Sequence, residues 1–317
     1  MSKYSRREFV KLSAAGVVNF SLFSKGLFAM PQHINPIRLG GPIFKEVSDD
    51  PTAWVKAHKE WGYSAAYCPV DADASTDLIK AFETEANKSN LIIAEVGAWS
   101  NPISPNDKER KESFEHCCKQ LDLAESIGAK CCVNIAGSRN PEQWDGPHKN
   151  NLSQDTFDLI VEVTRKIIDT VQPKRTYFTL ETMPWIFPNS VESYIKLYQS
   201  MERERFAVHF DPVNLMNSLD SYYNNAQIIR HAFKELGPYI KSCHGKDTIL
   251  LTELTTHINE TQPGLGNLDY GVYLSELSKL KDVPLMLEHM EEPEQYKAAV
   301  EHLQSVAKEN NLKFYKI

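Results

Sequence analysis

Two hydrophobic periods take turns along most of the chain. Short runs of nearly unbroken apolar residues, each closed by a polar group, alternate with longer stretches in which apolar positions recur every three to four residues. The first kind reads as a strand buried on both faces, the second as an amphipathic helix. Strands are expected at residues 37–44, 63–69, 91–99, 129–136, 177–185, 206–214, 240–247 and 284–290. Helices are expected between and after them, at residues 52–62, 77–87, 108–127, 157–171, 191–201, 226–236, 270–280 and 294–310. Gly128 caps the third helix and Pro173 stops the fourth. A polar loop containing Pro263-Gly264-Leu265-Gly266 follows the seventh strand.

Eight strand–helix units between residues 37 and 317 average about 35 residues each, close to the roughly 250 residues of an eight-fold barrel. Strict alternation calls for a parallel sheet with helices on its faces. An open doubly wound sheet usually announces itself by a glycine-rich phosphate turn after its first strand, and no GxGxxG stands there. The expected fold is α/β, a single (β/α)8 TIM barrel over residues 34–317.

Four successive strands end in a group able to bind a cation: Glu181, Asp211, His244 and Glu288. In such a barrel these ends converge on one mouth, where three unpaired carboxylates would repel one another and rise in pKa. A divalent cation removes that penalty, and three oxygens with one imidazole nitrogen suit Mn2+, Mg2+, Co2+ or Zn2+. Singly, a carboxylate at a strand end is more often a cap or an ion-pair partner. Repetition on four strands is what points to one mononuclear site. Side chains alternate along a strand, so His209 shares the face of Asp211, and Ser242 and Lys246 share that of His244. His209 is then expected one layer deeper and Lys246 one step nearer solvent.

Charge and composition narrow the partners. The chain is 42% hydrophobic and 24% charged, as expected of a globular protein with a sizeable core. The formal net charge is −7, yet the first 29 residues hold five cations against Glu8 alone, which leaves −11 for the rest. An acidic body repels phosphate backbones and argues against nucleic acid. A small carbohydrate or polyol-derived substrate stays open, as does a homo-oligomer. Ser5-Arg6-Arg7-Glu8-Phe9-Val10-Lys11 precedes a mildly apolar stretch and resembles a twin-arginine export signal over residues 1–30. That implies a periplasmic or otherwise extracytoplasmic location. Asn19, Ser21, Ser24 and Lys25 make the stretch too polar for a stable membrane span. The six cysteines include no CxxC pair, and buried free thiols are expected rather than disulfides.

The strand ends also carry a family resemblance. Leu180-Glu181, the FDPVN of residues 210–214, the HGKD of 244–247, the LEH of 287–289 and the PGLGNLDY of 263–270 together resemble the xylose isomerase-like barrel superfamily. That group holds sugar isomerases, ketose 3-epimerases and inosose dehydratases. The resemblance implies that Glu181, Asp211, His244 and Glu288 bind the metal. It also implies that Glu181 and Glu288 move protons on opposite faces of an enediolate bound to that metal. Asn214 stands where ketose 3-epimerases carry a substrate-binding His, and the Arg those enzymes place after the metal-binding His is not evident. Both departures point away from a free ketose. Asn214, Lys246 and Asp247 are expected to contact substrate hydroxyls, and Trp99, Trp144 and Trp185 to stack on a sugar ring. Asn134, Arg139, His148 and Met183 are weaker candidates of the same kind. The expected activity is a metal-dependent sugar isomerase or epimerase. Dehydration or C–O lysis of a keto-sugar is the close alternative, and a non-catalytic sugar-binding protein the outsider. An endonuclease IV-type phosphodiesterase needs a three-zinc site with several extra histidines, and the ten here fall mostly on expected helices or loops.

Overall fold

Eight short strands pair in parallel and close into a barrel. They are β1 (Arg38–Gly40), β2 (Ala65–Tyr67), β3 (Ile92–Gly97), β4 (Cys131–Asn134), β5 (Phe178–Glu181), β6 (Phe206–Phe210), β7 (Ile240–Gly245) and, after a hairpin of β8 (Asp247–Leu250) and β9 (Ile258–Thr261), β10 (Pro284–Leu287). Neighbours around the barrel follow chain order, and β10 closes the ring between β7 and β1. The structure, a computed structural model, describes residues 34–47 and 49–317, so the export address expected at residues 1–30 lies outside the described residues.

Nine α-helices are assigned among the described residues: α1 (Pro51–Glu60), α2 (Thr76–Ser89), α3 (Asp107–Ile127), α4 (Gln154–Val171), α5 (Val191–Met201), α6 (Leu219–Tyr223), α7 (Asn225–Leu236), α8 (Tyr270–Leu277) and α9 (Pro293–Glu309). The polar residue ahead of each of four of them begins the helix: the side chains of Ser75, Asn106, Ser153 and Ser190 accept backbone amides of the first turn. Within α4, Phe157, Ile160, Thr164, Ile167 and Ile168 are buried at helical spacing. Each large apolar side chain so covered contributes about 1.5–3 kcal/mol. Gly128 ends α3 in the left-handed region at φ 76°, as its position implied. Gln172 does the same for α4 at φ 53°, one residue before Pro173.

Most strands are shorter than the apolar runs that announced them. Ala98, Ile135, Ala136, Thr182 and Val213 lie past the ends of their strands yet are buried. Hydropathy follows burial, while pairing stops where the strands diverge at the barrel mouth. The polar loop expected after the seventh strand is only partly a loop. It contains the antiparallel hairpin β8–β9, registered from Asp247 opposite Thr261 to Leu250 opposite Ile258. All six cysteines are free thiols. No helix among the described residues is long and apolar enough to cross a membrane.

Candidate metal centre

Glu181 is the last residue of β5, His244 lies within β7, and Asp211 and Glu288 directly follow β6 and β10. These strands are consecutive neighbours in the barrel, so the four side chains converge from one arc of the mouth. Their ligating atoms all lie within 4.8 Å of one another. Thr182 fixes the backbone beneath Asp211: its Oγ1 donates to the Asp211 carbonyl at 2.6 Å and accepts the Asp211 N–H at 3.2 Å. Asp211 Oδ1 accepts the N–H of Val213 at 2.9 Å, which leaves Oδ2 to face the cluster.

The cluster is buried and crowded with negative charge. His244 Nδ1 lies 2.9 Å from Glu288 Oε1, 3.2 Å from Glu181 Oε1 and 4.0 Å from Asp211 Oδ2. Burial, with Glu181 and Glu288 adding to it, pushes the Asp211 carboxyl up to about 6 against the pull of Lys246 and His244. Burial also favours neutral Glu181 and Glu288, but His244 and Lys246 overcome it and hold both below the usual carboxylate range. Desolvation opposes a charged His244, yet Glu288, Glu181 and Glu95 drive its pKa well above that of a free imidazole. The arrangement calls for a positive charge at the point where these atoms meet.

The donor set fits a divalent cation. Asp211 Oδ2 and Glu288 Oε1 are buried and accept no well-aligned hydrogen bond, although Lys246 Nζ lies 2.7 Å from the first and 2.9 Å from the second. Proximity to an ammonium supplies charge but leaves the lone pairs misdirected, and a metal ion would take them up. Three carboxylates and one neutral nitrogen could hold Mn2+, Mg2+, Co2+ or Zn2+.

Behind His244 stands a residue that sequence reasoning missed. Glu95 of β3 is 2% exposed, and its Oε1 lies 3.0 Å from His244 Nε2. Its Oε2 accepts from Ser242 Oγ at 2.7 Å and meets His209 Nε2 at 2.9 Å. Burial alone raises such a carboxyl, but the two histidines more than reverse that and hold Glu95 well below the usual range. The signal was present: a lone carboxylate inside the apolar run 91–99. Glu95, His209 and His244 also have the spacing of a chelating group, but both histidines spend Nε2 on Glu95 itself, and all three are sealed from solvent.

The remaining candidates separate by position. Asn214 Nδ2 donates to Glu181 Oε1 at 3.1 Å, which places it at the centre. Lys246 is there too, but not nearer solvent as alternation suggested. It is 2% exposed because the hairpin folds over it and brings Glu260 Oε1 to 2.9 Å from Nζ. Glu260 in turn takes His289 Nδ1 at 2.8 Å; Glu260 did not stand out in the sequence, and His289 did so only as the end of the LEH of 287–289. Burial favours a neutral Glu260, but His289 and Lys246 hold its pKa down at about 2. Trp185 is partly exposed, its Nε1 donating to the Asp145 carbonyl at 2.7 Å.

Two expected substrate contacts, Asn134 and Asp247, have their polar groups taken up by the scaffold. Asn134 is fully buried and its amide is used on Ser100, accepting the N–H at 3.1 Å and donating to the carbonyl at 3.2 Å. Asp247 accepts the backbone N–H groups of Thr248 and Leu268 at 2.8 Å each, of Gly264 at 3.0 Å and of Gly266 at 3.3 Å. It therefore anchors the loop after the hairpin. Trp99 places its indole against Gly97, where a Cβ would come within 2.4 Å of Nε1, and remains 43% exposed. Of the weaker candidates, Met183 touches Asn214 Nδ2 through sulfur at 3.9 Å.

Comparison with known proteins agrees with this architecture. The family model described as xylose isomerase-like TIM barrel matches residues 55–306. A xylose isomerase-like TIM barrel protein from Mycobacterium smegmatis in complex with magnesium is 16% identical, with a TM-score of 0.60, over 87% of this chain and 97% of that one. D-psicose 3-epimerase from Clostridium cellulolyticum, solved with D-tagatose, is 14% identical, with a TM-score of 0.60, over 87% and 98%. Endonuclease IV from Thermus thermophilus is 13% identical, with a TM-score of 0.64, over 86% and 100%. At these identities the likeness shows the fold alone, and one fold carries several chemistries. No curated protein sequence matches the chain.

Proposed function

Because the chain belongs to the xylose isomerase-like TIM barrel family, we propose that it is a divalent-metal-dependent sugar isomerase or epimerase, with Glu181 and Glu288 as its acid–base pair. One observation carries this more than any other. Two glutamates from strands separated by β6 and β7 flank one point, with Asp211 and His244 between them and all ligating atoms within 4.8 Å.

Glu181, Asp211 and Glu288 would hold the ion through carboxylate oxygens and His244 through Nδ1. A divalent cation there supplies Lewis-acid stabilisation for the charge that builds on a substrate oxygen when a neighbouring C–H proton leaves. The protein's groups do the rest. Glu181 and Glu288 turn carboxylate oxygens toward the point where the ligating atoms meet, so either can accept a carbon-bound proton. Asn214 fixes Glu181 through Oε1, which sets the direction of its second oxygen. A proton taken by one glutamate and returned by the other to the opposite face inverts a carbinol centre. Return to the neighbouring carbon, with the hydroxyl proton passing from one enediolate oxygen to the other, moves the carbonyl instead. Lys246, clamped among Asp211, Glu288 and Glu260, limits the repulsion that these carboxylates feel. We extend the proposal to location: the twin-arginine pattern at Ser5–Lys11 would put this chemistry outside the cytoplasm.

The test is proton NMR of the metal-loaded protein with a panel of ketoses, 3-keto-glycosides and inososes. A new stereoisomer or positional isomer is expected. Loss of water would reassign the same proton-transfer pair to a dehydratase, and no reaction with any member would contradict the proposal.

A further inference from the structure

The end of the barrel away from the metal centre holds a cavity of about 530 Å³. It lies at the N-terminal strand ends, among the starts of β1, β3 and β7 and the residues just ahead of β4 and β5. Glu181, Asp211, His244 and Glu288 stand at the C-terminal ends, and the cavity shares no residue with them. Its charge runs against that of the chain. Arg38, Lys130, Arg175 and Lys241 line it with only two carboxylates, Glu83 and Asp282, in a protein of formal net charge −7.

Both carboxylates are already taken. Asp282 Oδ1 accepts from Arg38 Nε at 2.9 Å, and Glu83 Oε1 accepts from Arg175 Nη1. Arg38 spends its remaining donors on Asn90, and Arg175 on the Glu125 and Ser126 carbonyls. The two lysines are left over: both are half-buried, and among the described residues neither ammonium has a hydrogen-bond or ion-pair partner. Lys241 Nζ instead lies 4.5 Å from the centre of the Tyr177 ring, with the Arg205 guanidinium 5.2 Å from the same ring. Burial lowers the pKa of Lys130, and Arg38 and Lys281 add to that against the pull of Asp282. Burial likewise lowers Lys241, with Lys130 and Arg205 adding to it. Half-buried ammoniums that repel one another and lack a counter-ion call for an anion. A phosphoryl group answers that need, since it brings about two negative charges and three acceptor oxygens. These suffice for both lysines and for the Tyr177 hydroxyl, and binding cavities of about 300–1,000 Å³ leave room for the rest of a small molecule.

We propose that the N-terminal mouth of the barrel is an anion site, in which Lys130, Lys241 and the Tyr177 hydroxyl hold phosphate, free or carried on a small molecule. The arginines shape the cavity and the lysines supply the charge. The site is independent of the reaction at the other end of the barrel.

Calorimetric titration of the full chain, dialysed free of divalent metal so that phosphate has no cation to bind, tests it at constant ionic strength with inorganic phosphate and glycerol 3-phosphate. Saturable binding is expected in the parent. Lys130→Gln and Lys241→Gln should each weaken it at least about tenfold, as loss of a charge-assisted hydrogen bond does. Lys111→Gln, the same charge change on the exposed face of α3, should leave affinity within about twofold. Thermal melts in phosphate-free chloride guard against misfolding, because removing either lysine relieves repulsion and should not lower the melting temperature. Phosphate should then raise it in the parent and not in the two variants. Tighter binding of glycerol 3-phosphate assigns the remaining volume to an organic group, and equal affinity assigns the site to free phosphate. No binding in the parent, a smaller loss in either lysine variant, or an equal loss in Lys111→Gln would overturn the proposal.

Discussion

Glu95 and His244 meet inside the barrel, Oε1 to Nε2, at 3.0 Å, with neither side chain more than 2% exposed. Because the carboxylate takes the Nε2 hydrogen, Nδ1 is the nitrogen left for Glu181, Asp211 and Glu288 to surround. Glu95 thus decides the orientation of a residue that would hold the metal without touching the metal itself. Glu95→Gln cannot serve Ser242, His209 and His244 together. Mg2+ or Mn2+ affinity measured by calorimetry is expected to fall about 10–100-fold, with an unchanged circular dichroism spectrum. Affinity within twofold of the parent would mean that His244 is held by other means.

Lys246 is the cation that the centre already contains, buried among three carboxylates at 2.7–2.9 Å. Removing one partner of a buried ion pair costs about 3–5 kcal/mol. Lys246→Met should therefore lower the melting temperature markedly in EDTA, and saturating Mn2+ should restore more of it than it adds to the parent. Thermal melts with and without metal give the answer; equal metal-induced shifts in parent and variant would contradict it.

Asp247 neighbours this centre in sequence but serves the fold. Its carboxylate accepts four backbone N–H groups at 2.8–3.3 Å. Asp247→Ala leaves buried donors unpaired at about 1–3 kcal/mol each where water cannot replace the carboxylate. A stability loss of at least about 2 kcal/mol in urea is expected, with Mg2+ affinity within twofold of the parent. An undiminished midpoint would return Asp247 to the list of substrate contacts.

His58 adds a pH dependence remote from the centre. Burial lowers its pKa from 6.5 to about 4, against a hydrogen bond to the Trp54 carbonyl at 2.8 Å. Because the folded value lies below the unfolded one, the unfolded chain binds the extra proton between these limits. Stability is therefore lost as pH falls from 6.5 toward 4, by on the order of 3 kcal/mol. His58→Gln, uncharged throughout, should flatten that part of the acid slope in urea titrations at pH 7 and pH 5. An identical slope in the variant would assign it elsewhere.

The barrel was legible because burial on both faces writes near-continuous apolar strands, and because caps such as Ser75 and Gly128 sit where helix ends need them. Glu181, Asp211, His244 and Glu288 were legible because each interrupts or closes such a run at the same end. Glu95 was not, although it too breaks an apolar run: it lies within β3 rather than at its end, and its partners are 114 and 149 residues away. The hairpin was hidden by its exposure, since Ile249 at 37% and a polar β9 give no core signature. With it went Glu260. Asn134 and Asp247 misled for the opposite reason: polar residues near strand ends look alike whether they face substrate or backbone amides.

The central claim is that Glu181 and Glu288 exchange a carbon-bound proton next to a carbonyl. Deuterium incorporation from D2O, followed by NMR across the ketose and 3-keto-glycoside panel, tests it most directly when metal-loaded parent and Glu288→Gln are run together. Wash-in at the carbon beside the carbonyl is predicted for the parent. In Glu288→Gln, which keeps Glu181, Asp211 and His244 for the metal, inversion is expected to be lost and exchange to be confined to the epimer whose carbon-bound hydrogen faces Glu181. Inversion at the parental rate in Glu288→Gln, or no exchange in the parent with any member of the panel, would contradict the account.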